Sequence, residues 1–100
     1  MASGYKVIWT DHALKGLKNT VSYLEKNWTE KELRNFSHNL EHTIELISKS
    51  PELFQMSKEK KGVRRAVIMK YNSLYYRVID RRVEILTFFS NRQNPKKNRI

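Results

Sequence analysis

The chain has 100 residues, enough for one hydrophobic core and too few for a second, so it reads as a single domain over residues 1–100. With 39% hydrophobic residues, 11 aromatics, 3 Gly and 2 Pro, its composition is that of a folded globule and not of a disordered segment, and the absence of cysteine excludes a disulfide framework or a thiolate metal site. Lys and Arg number 20 against 10 Asp and Glu, and residues 58–100 carry most of the resulting net charge of +10, a field that draws polyanions and acidic proteins.

The first ten residues lack the apolar run of a signal peptide, and no stretch approaches the roughly 18 apolar residues of a membrane span. A soluble, cytoplasmic protein with no membrane partner is expected. Tyr5, Lys6, Val7, Ile8, Trp9 and Thr10 alternate with period two and are rich in β-branched and aromatic side chains, which predicts a short strand. A helix follows from Asp11. Its stripe is Ala13, Leu17, Val21, Leu24 and Trp28, and either Thr10 or Asp11 is placed to cap it.

Thr29 and Glu32 have the spacing of a capping box, in which hydroxyl and carboxylate satisfy each other's backbone donors. They open a second helix with the stripe Leu33, Phe36, Leu40, Ile44 and Ile47. Ser50 before Pro51 ends it, because the residue preceding proline disfavours the helical region. The two helices form an antiparallel hairpin with one shared apolar face.

Residues 51–62 form a connector, with Leu53, Phe54 and Met56 expected against the core and residues 58–61 solvated. After Gly62 the period changes. Residues 63–70, 74–79 and 83–89 are dense in Val, Ile, Tyr and Phe and are separated by short links, the pattern of an antiparallel meander. The fold class is therefore α+β, in the order β-α-α-β-β-β, with the helix hairpin on one face of a mainly antiparallel four-stranded sheet. Leu74, Tyr76 and Val78 face one way and Tyr75 and Ile79 the other, so both faces need cover. Only the basic tail 91–100 remains to supply it, which leaves the second face as a docking surface.

The three histidines, His12, His38 and His42, fall in helices, away from the basic strands. His38 and His42 have i, i+4 spacing but no HExxH glutamate and no third ligand, so no metal and no cofactor is expected. No Gly-rich phosphate loop or nucleophile-base pair is present. The arginines Arg64, Arg65, Arg77, Arg81, Arg82, Arg92 and Arg99 lie on or beside the sheet, where a rigid backbone aims guanidinium groups at phosphates or carboxylates. Arg81, Arg82 and Arg99 read as solvated turn or tail residues. Tyr71, Tyr75, Tyr76, Phe88 and Phe89 interleave with these arginines, a pattern that suits base stacking and suits a β core better.

The element order, the segment Tyr5-Lys6-Val7-Ile8-Trp9-Thr10 leading to Ala13, Gly62-Val63-Arg64, Leu74-Tyr75-Tyr76-Arg77-Val78-Ile79, Val83-Glu84-Ile85-Leu86 and Asn91-Arg92-Gln93-Asn94-Pro95 together resemble the RelE/ParE toxins of type II toxin-antitoxin, or plasmid-stabilisation, systems. The resemblance covers about residues 5 to 97, and the ending is closer to ParE. It implies an acidic, partly disordered cognate antitoxin that folds onto the toxin in a hetero-oligomer. It also implies one of two targets. ParE-like members poison DNA gyrase without chemistry of their own, whereas RelE-like members cut mRNA on the ribosome. The RelE pattern keeps a basic residue at Arg64, but the strand arginine expected near Ser73 is missing, and no Tyr or His follows Phe89. Glu84 reads as the partner of a neighbouring arginine and not as a base. Arg64, Arg65, Arg77, Arg92, Lys96 and Lys97 are the target-binding candidates. Gyrase inhibition is the leading expectation; a ribosome-dependent endoribonuclease and an inactive binding-only member are the alternatives.

Overall fold

The computed structural model describes residues 4–90, and the tail 91–100, with Arg92, Lys96 and Lys97, lies outside the described residues. Strand β1 (Lys6–Trp9) leads into helix α1 (Asp11–Asn27) and helix α2 (Glu30–Lys49), followed by strands β2 (Gln55–Met56), β3 (Arg64–Ile68), β4 (Asn72–Ile79) and β5 (Arg82–Ser90). They form one sheet in the order β1-β5-β4-β3-β2. The strands from β2 to β5 pair antiparallel, while β1 pairs parallel to β5, Lys6 opposite Arg82 and Trp9 opposite Ile85. The expected four strands thus become five, because two connector residues pair with β3; a two-residue strand carries no periodicity for sequence reading to detect.

Local chemistry sets the boundaries. Of the two residues able to cap α1, Thr10 does so: its Oγ1 accepts from Ala13 N at 3.2 Å and donates to Ile85 O at 2.8 Å, so one hydroxyl both starts the helix and ties it to β5. At α2 the capping box is complete, with Glu32 N donating to Thr29 Oγ1 and Thr29 N donating to Glu32 Oε1. Ser50 ends the helix as its amide donates to Leu46 O. The start of β1 is fixed against the end of α2, where Tyr5 N donates to Ser48 O and Ser48 Oγ donates to Tyr5 O.

The core lies between the helices and one face of the sheet: Ala13 and Leu24 from α1, Phe36 and Ile47 from α2, and Ala66, Ile68, Leu74, Tyr76, Val83, Ile85 and Phe88 from the strands. Phe88 is its aromatic centre, edge-on to Phe36 at 6.1 Å and tilted against Trp9 at 6.3 Å. A β-bulge makes this arrangement possible. Tyr75 pairs with Thr87 and Tyr76 with Ile85, so Leu86 is the extra residue, and both Ile85 and Phe88 reach the helix side despite their odd spacing.

The helix α1 crosses β5 at Gly16. A Cβ on this residue would stand 2.0 Å from the Phe88 carbonyl oxygen, so only glycine permits the contact. Thr20, which lies outside the expected apolar stripe, is fully buried and donates its hydroxyl to Gly16 O at 3.0 Å. The connector departs from expectation in the opposite direction. Phe54 packs edge-on against Tyr76, but Leu53 is 60% and Met56 44% exposed.

Candidate functional site

Alternation along β3, β4 and β5 sends one set of side chains into the helices and the other to the outer face. On β3 the buried Ala66 and Ile68 alternate with the exposed Arg65 and Val67. Cross-strand pairing places Arg65 opposite Tyr75, Ser73 opposite Phe89, and Arg77 opposite Glu84 on that outer face. The centre of the face is less open than the sequence suggests. Tyr75 is 6% and Ser73 1% exposed, Tyr75 stacks on Phe89 at 5.9 Å, and Arg65 Nη2 donates to Ser73 Oγ at 3.3 Å. Burial raises the Tyr75 pKa, the positive charge of Arg65 opposes the rise, and Glu59 adds to it. A phenol held this way stays protonated at neutral pH.

The candidate arginines divide by what they touch. Arg65 is exposed on the outer face beside a cavity of about 250 Å3 that it lines with Ser57, Lys58, Glu59 and Val67. Arg77 Nε donates to Glu84 Oε1 at 2.8 Å, so Glu84 has the neighbouring arginine partner expected of it. Arg64 turns to the connector: its Nη1 donates to Phe54 O at 2.7 Å and to Glu52 O at 3.3 Å. The adjacent Tyr76 is fully buried, donates its hydroxyl to Pro51 O, and has its pKa pushed up to about 12 by that burial, against a smaller lowering from Arg64. Arg64 and Tyr76 together therefore hold the connector to the sheet.

The histidines also separate. His38 and His42 are exposed on α2, and among the described residues no group of three His, Cys, Asp or Glu could hold a metal ion. His12 does not keep away from the strands as expected. It lines a groove of about 410 Å3 with Lys15, Gly16 and Asn19 of α1 and Thr87, Phe88 and Phe89 of β5. The close crossing at Gly16 brings the helix face alongside β5, a contact that linear spacing does not reveal.

The family model described as the ParE toxin of the type II toxin-antitoxin system parDE matches residues 7–95. The chain belongs to the ParE toxin family. The match spans the first strand, both helices and all the later strands, so it covers the framework and not a single motif. Among solved structures, a chain of the chromosomal ParDE toxin-antitoxin system from P. aeruginosa superposes with a TM-score of 0.72 at 15% identity, over 86% of this chain and 95% of that one. At that identity the likeness establishes the fold. No curated protein is similar enough to count as a relative. Within this ParE-family fold, sequence reasoning identified the basic strand residues but missed the crossing at Gly16 and the groove at His12. The one signal for the first was a glycine in mid-helix, which costs stability and so calls for a packing reason.

Proposed function

We propose that the chain is the toxin of a type II toxin-antitoxin pair that acts in the cytoplasm by inhibiting DNA gyrase, and that a cognate acidic antitoxin neutralises it. The observation that carries this reading is the ParE match over residues 7–95. Three features support it. The net charge of +10 suits an acidic, partly disordered antitoxin segment. Tyr75 and Tyr76 both have raised pKa values, so the sheet tyrosines are poor proton carriers. Glu84 is engaged by Arg77.

Arg65, exposed and close to the outer face's aromatic pair, is the first target-binding residue to mutate. Arg77 follows, and Arg92, Lys96 and Lys97 complete the basic set. Arg64, bonded to two connector carbonyls, contributes through the geometry of the connector as well as through its charge. The test is a supercoiling and cleavage-complex assay with purified protein and gyrase. Loss of supercoiling supports the reading, and unaffected gyrase overturns it. The groove at His12 favours a second reading, in which an imidazole next to Lys15 serves a RelE-like, ribosome-dependent cleavage of mRNA. Codon-positioned cuts in translated mRNA, abolished by His12→Ala, would select that reading over the first.

A further inference from the structure

A cleft of about 230 Å3 opens on the helix side of the sheet, below the end of α2. Tyr76 and Pro51 form its floor, Tyr5, Met56 and Val78 its apolar walls, and Arg64 its polar edge. Two of these residues are conspicuous. Met56 and Val78 are 44% and 39% exposed, and they bring two of the six exposed large apolar side chains of the described residues to one opening. The volume is below the roughly 300 Å3 at which small-molecule sites begin, so the cleft suits a single large side chain of a polypeptide better than a metabolite.

The charges around it define what accompanies that side chain. Both Arg64 hydrogen bonds use Nη1, which fixes the guanidinium plane while its Nε and Nη2 donors make no bond among the described residues. Arg81 lies over the Tyr5 ring at 5.6 Å and adds a second cation at the rim. Arg77 also borders the cleft but is paired with Glu84, and Glu52 contributes one opposing carboxylate. A planar guanidinium held rigidly beside an apolar opening is suited to a carboxylate next to a buried side chain.

We propose that this cleft takes the anchor of the partner segment: one Leu or Phe side chain seated between Met56 and Val78, with an adjoining Asp or Glu carboxylate on Arg64. The proposal rests on the reading that an acidic antitoxin segment neutralises this chain, and it fixes where that segment is held. Arg64 on this account contacts the partner as well as the connector.

The test is an NMR titration of the 15N-labelled chain with the blocked peptide acetyl-Glu-Glu-Leu-Phe-Glu-amide. Its readout is independent of toxicity and of gyrase, so its failure is distinguishable from failure of the functional reading. Saturable shifts confined to the amides of Tyr5, Met56, Gly62, Arg64 and Val78 are expected. Binding should be lost in Met56→Asp and in Val78→Asp, whose exposed positions leave the core intact, and retained in Leu14→Asp, which carries the same change to an exposed leucine on α1. Arg64→Gln should weaken the peptide about tenfold, the loss of one charge-assisted hydrogen bond. The idea is overturned if no shifts appear, if they fall on His12, Lys15 and Phe89 or on the outer face, or if a peptide with Lys in place of each Glu binds equally well.

Discussion

Replacing Gly16 by alanine tests the packing of α1 on β5, because two effects of opposite sign act on one methyl group. In an exposed helix interior the change would stabilise by about 1 kcal/mol, since alanine loses less backbone entropy than glycine. Here the new Cβ would stand 2.0 Å from the Phe88 oxygen, about 1 Å inside the closest approach such atoms make. The carbonyl belongs to a strand paired with β4 and cannot turn away, so α1 must lift, loosening Ala13, Thr20 and Leu24, all on its buried side. Overpacking of this kind costs about 1–3 kcal/mol, and a main-chain clash lies at the upper end. We therefore expect Gly16→Ala to destabilise the protein by about 1–2 kcal/mol net, lowering the melting temperature by about 4–8 °C per kcal/mol. Urea unfolding followed by tryptophan fluorescence, to which Trp9 against Phe88 contributes together with Trp28, reads the change directly. The exposed Lys18→Gly on the same helix calibrates the propensity term at about 1 kcal/mol. If Gly16→Ala is neutral or stabilising with an unchanged denaturant slope, the argument from close approach is wrong.

Tyr76→Phe should cost about 1–2 kcal/mol by leaving Pro51 O without its donor, measured by the same urea titration. Because the folded Tyr76 pKa is about 12 against 10.0 for an ordinary phenol, its contribution is complete below pH 10 and is lost as pH rises towards 12; stability measured across that window should fall more steeply in the parent than in Tyr76→Phe. The link between β4 and β5 places Asp80 and Arg81 at φ 50 and 61, in the left-handed region that tight hairpin turns require, so Arg81→Gly should raise stability by up to about 1 kcal/mol in thermal unfolding. The loss of the Arg81 contact with Tyr5 limits that gain. A double-mutant cycle on Arg77→Ala and Glu84→Ala should give a coupling below about 1 kcal/mol, because Arg77 is half exposed and water screens the pair. A larger coupling would show that the outer face excludes water more than its geometry implies.

What the sequence revealed, and what it hid, follows from the range of the forces involved. Both helices were legible because their caps and stripes are local: Thr29 and Glu32 are three residues apart, and Phe36 and Ile47 fall on a repeating stripe. The last three strands were legible from β-branched and aromatic runs, and membership of the ParE family was legible from the order of those runs. The fifth strand was hidden because Gln55 and Met56 join the sheet by backbone pairing with Arg65 and Arg64, which no side-chain pattern records. The bulge at Leu86 was hidden for the same reason. Arg64, Arg65 and Arg77 were found as a class, but the class says nothing about occupation. One binds connector carbonyls, one binds Ser73 beside an open cavity, and one is held by Glu84. Thr20 was missed because a hydroxyl reads as polar until a carbonyl one turn earlier is found to accept from it.

The parallel pairing of β1 with β5 also governs the order in which the molecule can be completed. Lys6 to Trp9 must wait for Arg82 to Ile85, and the Thr10 bond to Ile85 spans 75 positions of sequence. Contacts this distant close late, since the entropy of the intervening loop must be overcome first. During synthesis the helix hairpin can form early, yet its first strand has no neighbour until residue 85 has been made. Until then β1 stands without a strand partner, and the surfaces it shares with β5 appear only once residues 82–85 have been made.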